Sequence, residues 1–175
     1  MTGYSRKWQN RANNDHGRML EQMIEAGCNE YRVKQLAMIE KTPEPFRVKK
    51  INSQSKTFTA YFTGKAQPDF KGTLKGGMAI CFEAKMTTSD KLKKDVVTPN
   101  QSACLDMHAG LGALCGVCCM IKHTVAFVPW GIWKDMKNLY GRKCMTESEI
   151  KEYEVPTPMY ADFLFRYKKD LIAYG

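Results

Sequence analysis

The sequence has few histidines, which are common metal ligands. Its three histidines, His16, His108 and His123, are far apart and form no ligand-like cluster. Cys115 and Cys118 have the spacing of half a zinc ribbon, but no second pair follows at a similar spacing. They also lie in an apolar run, so buried strand cysteines are the better interpretation. The sequence therefore does not predict a zinc site.

The chain also lacks a secretory signal and any long apolar run without charges. Its seven cysteines are spread through apolar segments, which is typical of a protein kept in a reducing compartment. We therefore expect a cytoplasmic protein, in a bacterium or in the host of a virus, with no membrane partner. There is no internal repeat, low-complexity tract or linker, and 175 residues suffice for one domain with one core.

Acidic residues are outnumbered. The chain has 27 Lys and Arg against 18 Asp and Glu, a formal net charge of +9. Nucleic-acid affinity depends strongly on cations that displace the counterions of phosphates, so this excess favours a polyanionic partner. The alternative is a basic protein whose charge only keeps it soluble.

The stretch from Pro68 to Lys85 carries the strongest chemical signal. Asp69 is followed by a turn rich in Lys and Gly at 70–77, and a strand then carries Glu83. Side chains alternate along a strand, so Glu83 and Lys85 share one face. If the turn brings Asp69 beside Glu83, the two carboxylates can hold a hard cation such as Mg²⁺. The alternative is a surface hairpin with a solvated ion pair.

The order of elements predicts an α/β domain with a mixed central sheet. A flexible basic arm is expected at 1–16, followed by a single domain at 17–175. Its first helix, 17–34, carries Glu21 at the edge of an apolar stripe, either near the site or as a solvated charge. A basic hairpin tip projects at 46–56. The other predicted elements are a strand at 57–63, a flexible loop at 86–97, a helix at 98–114, strands at 116–122 and 124–130, and short helices after them.

Gln101 has two interpretations. The run Thr98, Pro99, Asn100, Gln101 is a helix start in which Thr98 caps the helix and Gln101 completes a capping box. A Gln at a helix start near the site could also orient water or phosphate. The sequence does not decide between the two.

With these motifs in order, the chain resembles the RecU family of Holliday junction resolvases, within the PD-(D/E)xK nuclease fold. The resemblance begins at about Gly17 and extends over nearly all of the chain that follows. It is carried by Gly17, Leu20-Glu21, Asn29, Tyr31, Ile39, Lys41, Pro43-Glu44-Pro45, Ala60-Tyr61-Phe62, Asp69-Phe70, Gly72, Phe82-Glu83-Ala84-Lys85, Gln101, Gly141-Arg142-Lys143 and Asp162-Phe163-Leu164.

This resemblance implies a restriction-endonuclease-like core, a short basic stalk, and a homodimer that cuts four-way DNA junctions with Mg²⁺ or Mn²⁺. Asp69 and Glu83 would be the metal ligands and Lys85 the catalytic lysine, while Gln101 and Glu21 would line the site. The cations expected to contact DNA are Arg18, Arg47, Lys49, Lys50, Lys56, Lys71, Lys75, Arg142 and Lys143.

Two other functions remain open from the sequence. One is a nuclease of the same chemistry but different substrate, restriction-like or in repair. The other is a junction-binding protein that does not cleave. The complete set of Asp69, Glu83 and Lys85 argues against the second, because a pure binder has no need for carboxylates where phosphates must approach.

Overall fold

The computed structural model describes residues 3–43, 46–52, 54, 57–62 and 67–173, with side chains from residue 17 onward except at 46, 47, 50–52, 58 and 60–62. The helices are α1 (Gly3–Val33), α2 (Pro99–Gly110), α3 (Trp130–Lys134), α4 (Met136–Tyr140), α5 (Glu147–Ile150) and α6 (Lys168–Ala173). The strands are β1 (Ala37–Lys41), β2 (Phe46–Asn52), β3 (Thr57–Phe62), β4 (Phe70–Leu74), β5 (Ala79–Thr87), β6 (Lys91–Lys93), β7 (Leu114–Ile121), β8 (Thr124–Pro129) and β9 (Cys144–Thr146).

A five-stranded sheet in the order β1-β4-β5-β7-β8 forms the centre of the molecule. β5 and β7 run parallel, with Glu83 opposite Val117, and the other neighbouring pairs are antiparallel. Parallel neighbours need a crossover connection, and the segment that contains α2 supplies it. The predicted α/β class with a mixed sheet is confirmed.

The two faces of β5 enter different hydrophobic clusters, because side chains alternate between the faces of a strand. Phe82 packs in one cluster with Ile24 of α1, and both are fully buried. Cys81, on the opposite face, packs in the other cluster with Trp133 of α3 and Leu105 of α2. Glu83 follows Cys81 by two residues, so the alternation turns it toward α2 and away from α1.

Residues 70–77, predicted as one turn, instead form strand β4 and a shorter turn after it. Phe70 and Leu74 are buried in the core. A Cβ at Gly72 would lie 2.0 Å from the carbonyl oxygen of Met38 on β1. Gly72 is therefore needed where two strands approach closely, and not for a bend. The prediction was wrong because a glycine in a short basic run has the same appearance in both settings.

The first helix begins at Gly3, so the predicted helix start at about Gly17 was wrong, while the flexible basic arm at 1–16 stays a prediction. From Tyr4 to His16 the chain has no proline and no glycine, so no residue there interrupts the helix. The segment lacks an apolar stripe, which is the pattern from which a helix is usually predicted. The predicted end of this helix, near residue 34, agrees with Val33.

Residues 86–97, predicted as a flexible loop, are ordered by pairing with a distant segment. β6 pairs antiparallel with β9, with Leu92 opposite Met145. Leu92 is only 2% exposed and Val97 only 4%. The prediction was wrong because the pairing partner lies some fifty residues later in the chain, where local sequence carries no sign of it.

β2 and β3 form an antiparallel hairpin outside the central sheet. Asn52 is opposite Thr57 next to the turn, and the register shifts between Val48 and Lys50. The predicted basic stalk, residues 46–56, falls within this hairpin. Lys56 lies outside the described residues, so its predicted role stays a prediction.

The predicted helix start at Thr98 is confirmed, but α2 ends at Gly110 instead of continuing to residue 114. Gly112 has φ of +87°, a left-handed conformation that ends helices and that glycine adopts without strain. The chain then enters β7 at Leu114.

Within the described residues, none of the helices combines the length and the apolar character needed to cross a membrane.

Candidate active site

Asp69 directly precedes β4 and is oriented by the backbone of β5. The antiparallel register puts Phe70 opposite Phe82, so the residues on either side, Asp69 and Glu83, are neighbours across the two strands. The backbone N–H of Ala84 donates to Asp69 Oδ2 at 2.9 Å. The carboxylate of Asp69 is therefore held at the strand edge beside Glu83.

Glu83 is fully buried, and its two carboxylate oxygens have different surroundings. Oε2 accepts from Lys85 Nζ at 2.8 Å and from Gln101 Nε2 at 2.6 Å. Oε1 is buried and has no hydrogen-bond partner among the described residues. A buried carboxylate oxygen without a partner is unfavourable, and this observation points to a missing cation or donor.

Lys85 joins the two carboxylates. Its Nζ lies 2.8 Å from Glu83 Oε2 and 3.3 Å from Asp69 Oδ2. Burial by itself would lower the pKa of Lys85, but the two carboxylates raise that pKa above its ordinary value. Burial raises the pKa of Glu83 to about 7; the charge of Lys85 opposes this shift and that of Asp69 adds to it.

Gln101 completes the predicted capping box and also contacts Glu83, while its orientation of water or phosphate stays a prediction. The side-chain Oε1 of Gln101 accepts from the backbone N–H of Thr98 at 2.9 Å. The backbone N–H of Gln101 donates to Thr98 Oγ1 at 3.3 Å, which completes the capping box. At the same time its Nε2 donates to Glu83. The cap holds the side chain at the start of α2 in the position from which its amide reaches the buried carboxylate.

Glu21 lies on α1 and contacts Lys41 instead of the three central residues. Lys41 Nζ lies 2.7 Å from Glu21 Oε2 and 3.7 Å from Glu25 Oε1. A hydrogen bond from Lys41 to Glu21 raises the pKa of Lys41 against the effect of burial, and the charge of Asp69 contributes to the same shift. The backbone N–H of Thr42 also donates to the carbonyl of Asp69. Glu21 is thus linked to Asp69 through β1, and Lys41 is a connecting residue to which the sequence analysis assigned no role.

The predicted DNA-contacting cations are not all in one place. Lys71 is exposed beside Asp69, where it donates to Gln67 Oε1 at 2.6 Å. Lys75 follows the far end of β4, about 20 Å along the strand from Asp69 at roughly 3.3 Å per residue. Arg142 makes a bidentate ion pair with Glu149. The site geometry therefore gives the least support to the predicted DNA contacts of Lys75 and Arg142.

Arg18 and Lys49 are exposed, the first on α1 and the second on the β2–β3 hairpin. The side chains of Arg47 and Lys50 lie outside the described part of the structure. Lys143 is exposed and lines a cavity with Lys91, Lys93 and Lys94. From the sequence, these three lysines were expected only to lie in a flexible loop. The feature of the sequence that predicts a strand here is the apolar Leu92 between two lysines, because a half-buried strand alternates in this way.

The donor set fits a small divalent cation. Mg²⁺ typically takes one or two protein carboxylates and completes its shell with water and substrate phosphate. Asp69 and Glu83 supply two carboxylates on neighbouring strands, and Glu83 Oε1 has no described protein partner. Within the described residues no group of three or more His, Cys, Asp or Glu side chains comes together, so these two carboxylates are the candidate ligands.

The mixed α/β fold, in which Asp69, Glu83 and Lys85 come together, is the arrangement expected from the resemblance to PD-(D/E)xK nucleases. The chain belongs to the RecU family of Holliday junction resolvases, because the family model described as Recombination protein U matches residues 15–171. The resemblance seen in the sequence is therefore confirmed, and the family identifies the chain as a nuclease of Holliday junctions.

No curated protein sequence matches the chain. Among solved structures it is similar to Hjc, a Holliday junction resolvase from the archaeal hyperthermophile Archaeoglobus fulgidus. The sequence identity is 16%, the TM-score is 0.41, and the match covers 69% of this chain and 83% of that chain. A likeness at this level supports no conclusion about residues or chemistry.

Proposed function

We propose that this chain is a structure-selective endodeoxyribonuclease that resolves four-way DNA junctions in recombination and repair by divalent-metal-dependent hydrolysis. The observation that carries the proposal is the buried carboxylate of Glu83. One of its oxygens is bound by Lys85 and Gln101, and the other lacks a described partner beside Asp69. In a RecU family member, this arrangement is best explained as half of a metal site.

Asp69 and Glu83 would hold Mg²⁺, or Mn²⁺ in its place. When bound there, the ion lowers the pKa of a coordinated water and offsets charge on the scissile phosphate. The backbone N–H of Ala84 keeps the carboxylate of Asp69 turned toward that position, at 2.9 Å. The sheet therefore fixes both ligands before substrate arrives.

Lys85 brings a positive charge to the same point, where it favours the developing negative charge of the phosphate being attacked. Its contacts with both carboxylates hold it there in the absence of DNA. Gln101 orients Glu83 through its amide, and the capping box keeps that amide in place. Glu21 acts at a greater distance. It pairs with Lys41 at the end of β1, and the next residue, Thr42, donates its backbone N–H to the carbonyl of Asp69.

A homodimer suits the proposed reaction, and a cytoplasmic location is consistent with a DNA-processing enzyme. Resolution of a junction requires cuts in two opposing strands, whereas the described chain contains one Asp69-Glu83-Lys85 centre. Two copies related by two-fold symmetry would present two such centres to a junction with similar symmetry.

The deciding experiment incubates labelled four-way junction, linear duplex and single-stranded DNA with the protein, each with Mg²⁺ and with EDTA. We expect paired cuts in the junction only, and none in EDTA. Equal cleavage of the linear duplex would favour a restriction-like or repair nuclease. Binding of the junction without cleavage under any divalent ion would favour a junction-binding protein instead.

A further inference from the structure

A basic cavity lies beside the start of α2 and is separate from the carboxylate centre. Its volume is about 460 Å³, and its polar lining includes Lys91, Lys93, Lys94, Asp95, Ser102 and Lys143. The lining therefore includes four lysines and only one acidic residue. A concave site with this excess of positive charge is suited to an anion.

The backbone around the cavity holds the lysines in fixed positions. Lys91 and Lys93 lie on the same side of β6 because side chains alternate, and buried Leu92 between them anchors the strand. The backbone N–H of Lys94 donates to the carbonyl of Lys143 at 3.0 Å, which joins β6 to the strand opposite. Lys91 and Lys93 thus lie on a paired strand, and Lys94 and Lys143 directly adjoin the two strands.

Three of these lysines form no salt bridge with the carboxylates that the structure describes. Among the described residues, Lys91, Lys93 and Lys143 make no ion pair, while Lys94 Nζ donates to the backbone carbonyl of Lys134. Other lysines of the chain are paired with Glu or Asp, including Lys34, Lys41, Lys85, Lys122, Lys134 and Lys168. The charge of the cavity is therefore available for a ligand.

The cavity is close to the candidate active site. Ser102 lines the cavity, and the preceding residue, Gln101, donates to Glu83 at 2.6 Å. The positive end of the α2 dipole points to the same region and favours negative charge there. An anion in the cavity would therefore lie next to the DNA strand whose phosphate reaches Glu83.

We propose that this cavity binds one backbone phosphate of the strand being cut, close to the scissile phosphate. The inference rests on the proposed function, since it assumes that the strand passes the carboxylate centre. A phosphate ester is the shared chemistry of DNA and of free nucleotides. We assign the cavity to DNA because a free nucleotide bound one residue away from Gln101 would obstruct the strand at the centre.

The first test measures affinity for a four-way junction across a salt series, in EDTA so that nothing is cut. The variants are Lys91→Ala, Lys93→Ala and Lys143→Ala, singly and combined. The log-log slope counts phosphates neutralised, at about 0.9 each, and the proposed homodimer carries two cavities. One phosphate in each cavity therefore predicts a slope change of about 1.8 for the triple variant. Three separate contacts in each protomer would change the slope by about 5.4 and would overturn the proposal of one phosphate in each cavity.

The control variant combines Lys137→Ala, Lys151→Ala and Lys169→Ala. It removes the same charge from exposed lysines outside the cavity. We expect it to weaken junction binding less than the cavity triple variant. Equal losses would mean that general charge explains the effect, and would overturn the inference. Thermal melts of both variants establish that they are folded.

A second test locates the phosphate. Junctions that carry a neutral methylphosphonate at single positions on either side of the cut are bound to the wild type and to the cavity triple variant. One flanking position should weaken binding to the wild type and leave binding to the triple variant unchanged. If no position behaves in this way, the cavity does not hold the cut strand.

A third arm distinguishes the source of the phosphate, by titration of inorganic phosphate and ADP into both proteins. Loss of ADP binding in the triple variant with junction affinity equal to the control would assign the cavity to a free nucleotide and overturn the proposal. All of these measurements are independent of cleavage. If the wild type cuts junctions and the cavity triple variant binds them like the control variant, only this inference is contradicted. If the wild type cuts no junction but the cavity triple variant loses junction affinity as expected, only the proposed function is contradicted.

Discussion

The side-chain amide of Gln101 donates to the buried carboxylate of Glu83 at 2.6 Å while its carbonyl oxygen accepts from the N-cap residue of the same helix. A helix cap and the candidate active site thus share one side chain. The position of α2 is thereby coupled to the orientation of the carboxylate, so damage to the cap is expected to alter the chemistry as well as the stability.

Gln101→Glu separates the two functions of this side chain. Glu can still accept from the N–H of Thr98, so the cap is retained, but it would set a second carboxylate against Glu83. We expect a folded protein whose cleavage of a four-way junction in Mg²⁺ is slower by at least about tenfold, since the loss of one oriented hydrogen bond to a charged group is worth more than 1.4 kcal/mol.

Thr98→Ala is the matched control, because it removes the cap acceptor and keeps the amide of Gln101. It should lower the free energy of unfolding by about 1 kcal/mol and slow cleavage less than Gln101→Glu does. Unimpaired cleavage by Gln101→Glu would leave the cap as the whole explanation for this residue.

Asp69→Asn and Glu83→Gln should each abolish cleavage, because each removes a candidate metal ligand. Binding of the junction in EDTA should be equal or tighter, since each also removes negative charge that faces phosphate. Gel-shift affinity in EDTA and cleavage in Mg²⁺ measure the two effects separately. Asp106→Asn, an equal charge change on the exposed side of α2, should keep cleavage. Retained activity in both site variants would contradict the assignment of the ligands.

The β2–β3 hairpin should supply junction selectivity. Phosphate contacts give affinity without information about shape, so a junction enzyme needs an element that fits where duplex arms diverge. Replacement of Lys49, Lys50 and Lys56 by Ala should weaken junction binding more than duplex binding, and should lower the salt slope by about 0.9 per lost phosphate contact. Affinities for both substrates in EDTA are the measurement. Equal losses would assign selectivity to the geometry of the dimer.

Gly72→Ala tests the close approach of β4 to β1. The added Cβ would meet the backbone oxygen of Met38 at 2.0 Å, which cannot be relieved by moving a flexible side chain. We expect destabilisation of about 3 kcal/mol or more in urea unfolding, at the upper end for overpacked sites. Gly17→Ala is the control: nothing lies within 4 Å of its Cβ, and in α1 it should stabilise by up to about 1 kcal/mol. Similar changes in both variants would mean that the two strands can separate at little cost.

The sequence by itself determined the parts of this protein that depend on neighbours in the chain. Alternation along β5 predicts that Glu83 and Lys85 share a face, and the run from Thr98 to Gln101 predicts a capped helix start. Both are short-range effects, because side-chain direction and capping are decided within a few residues. The family resemblance also depended on such local blocks.

Only the tertiary structure decided the relationships between distant segments. The sequence around Gly72 predicts a turn, whereas the structure shows a strand that lies close against β1. The lysines of β6 were predicted in a loop, whereas the structure pairs β6 with β9. The contact of Gln101 with Glu83 joins a helix to a strand eighteen residues away. Such contacts depend on burial and packing across the sheet, and local propensity carries little information about them because the same residues suit several local structures.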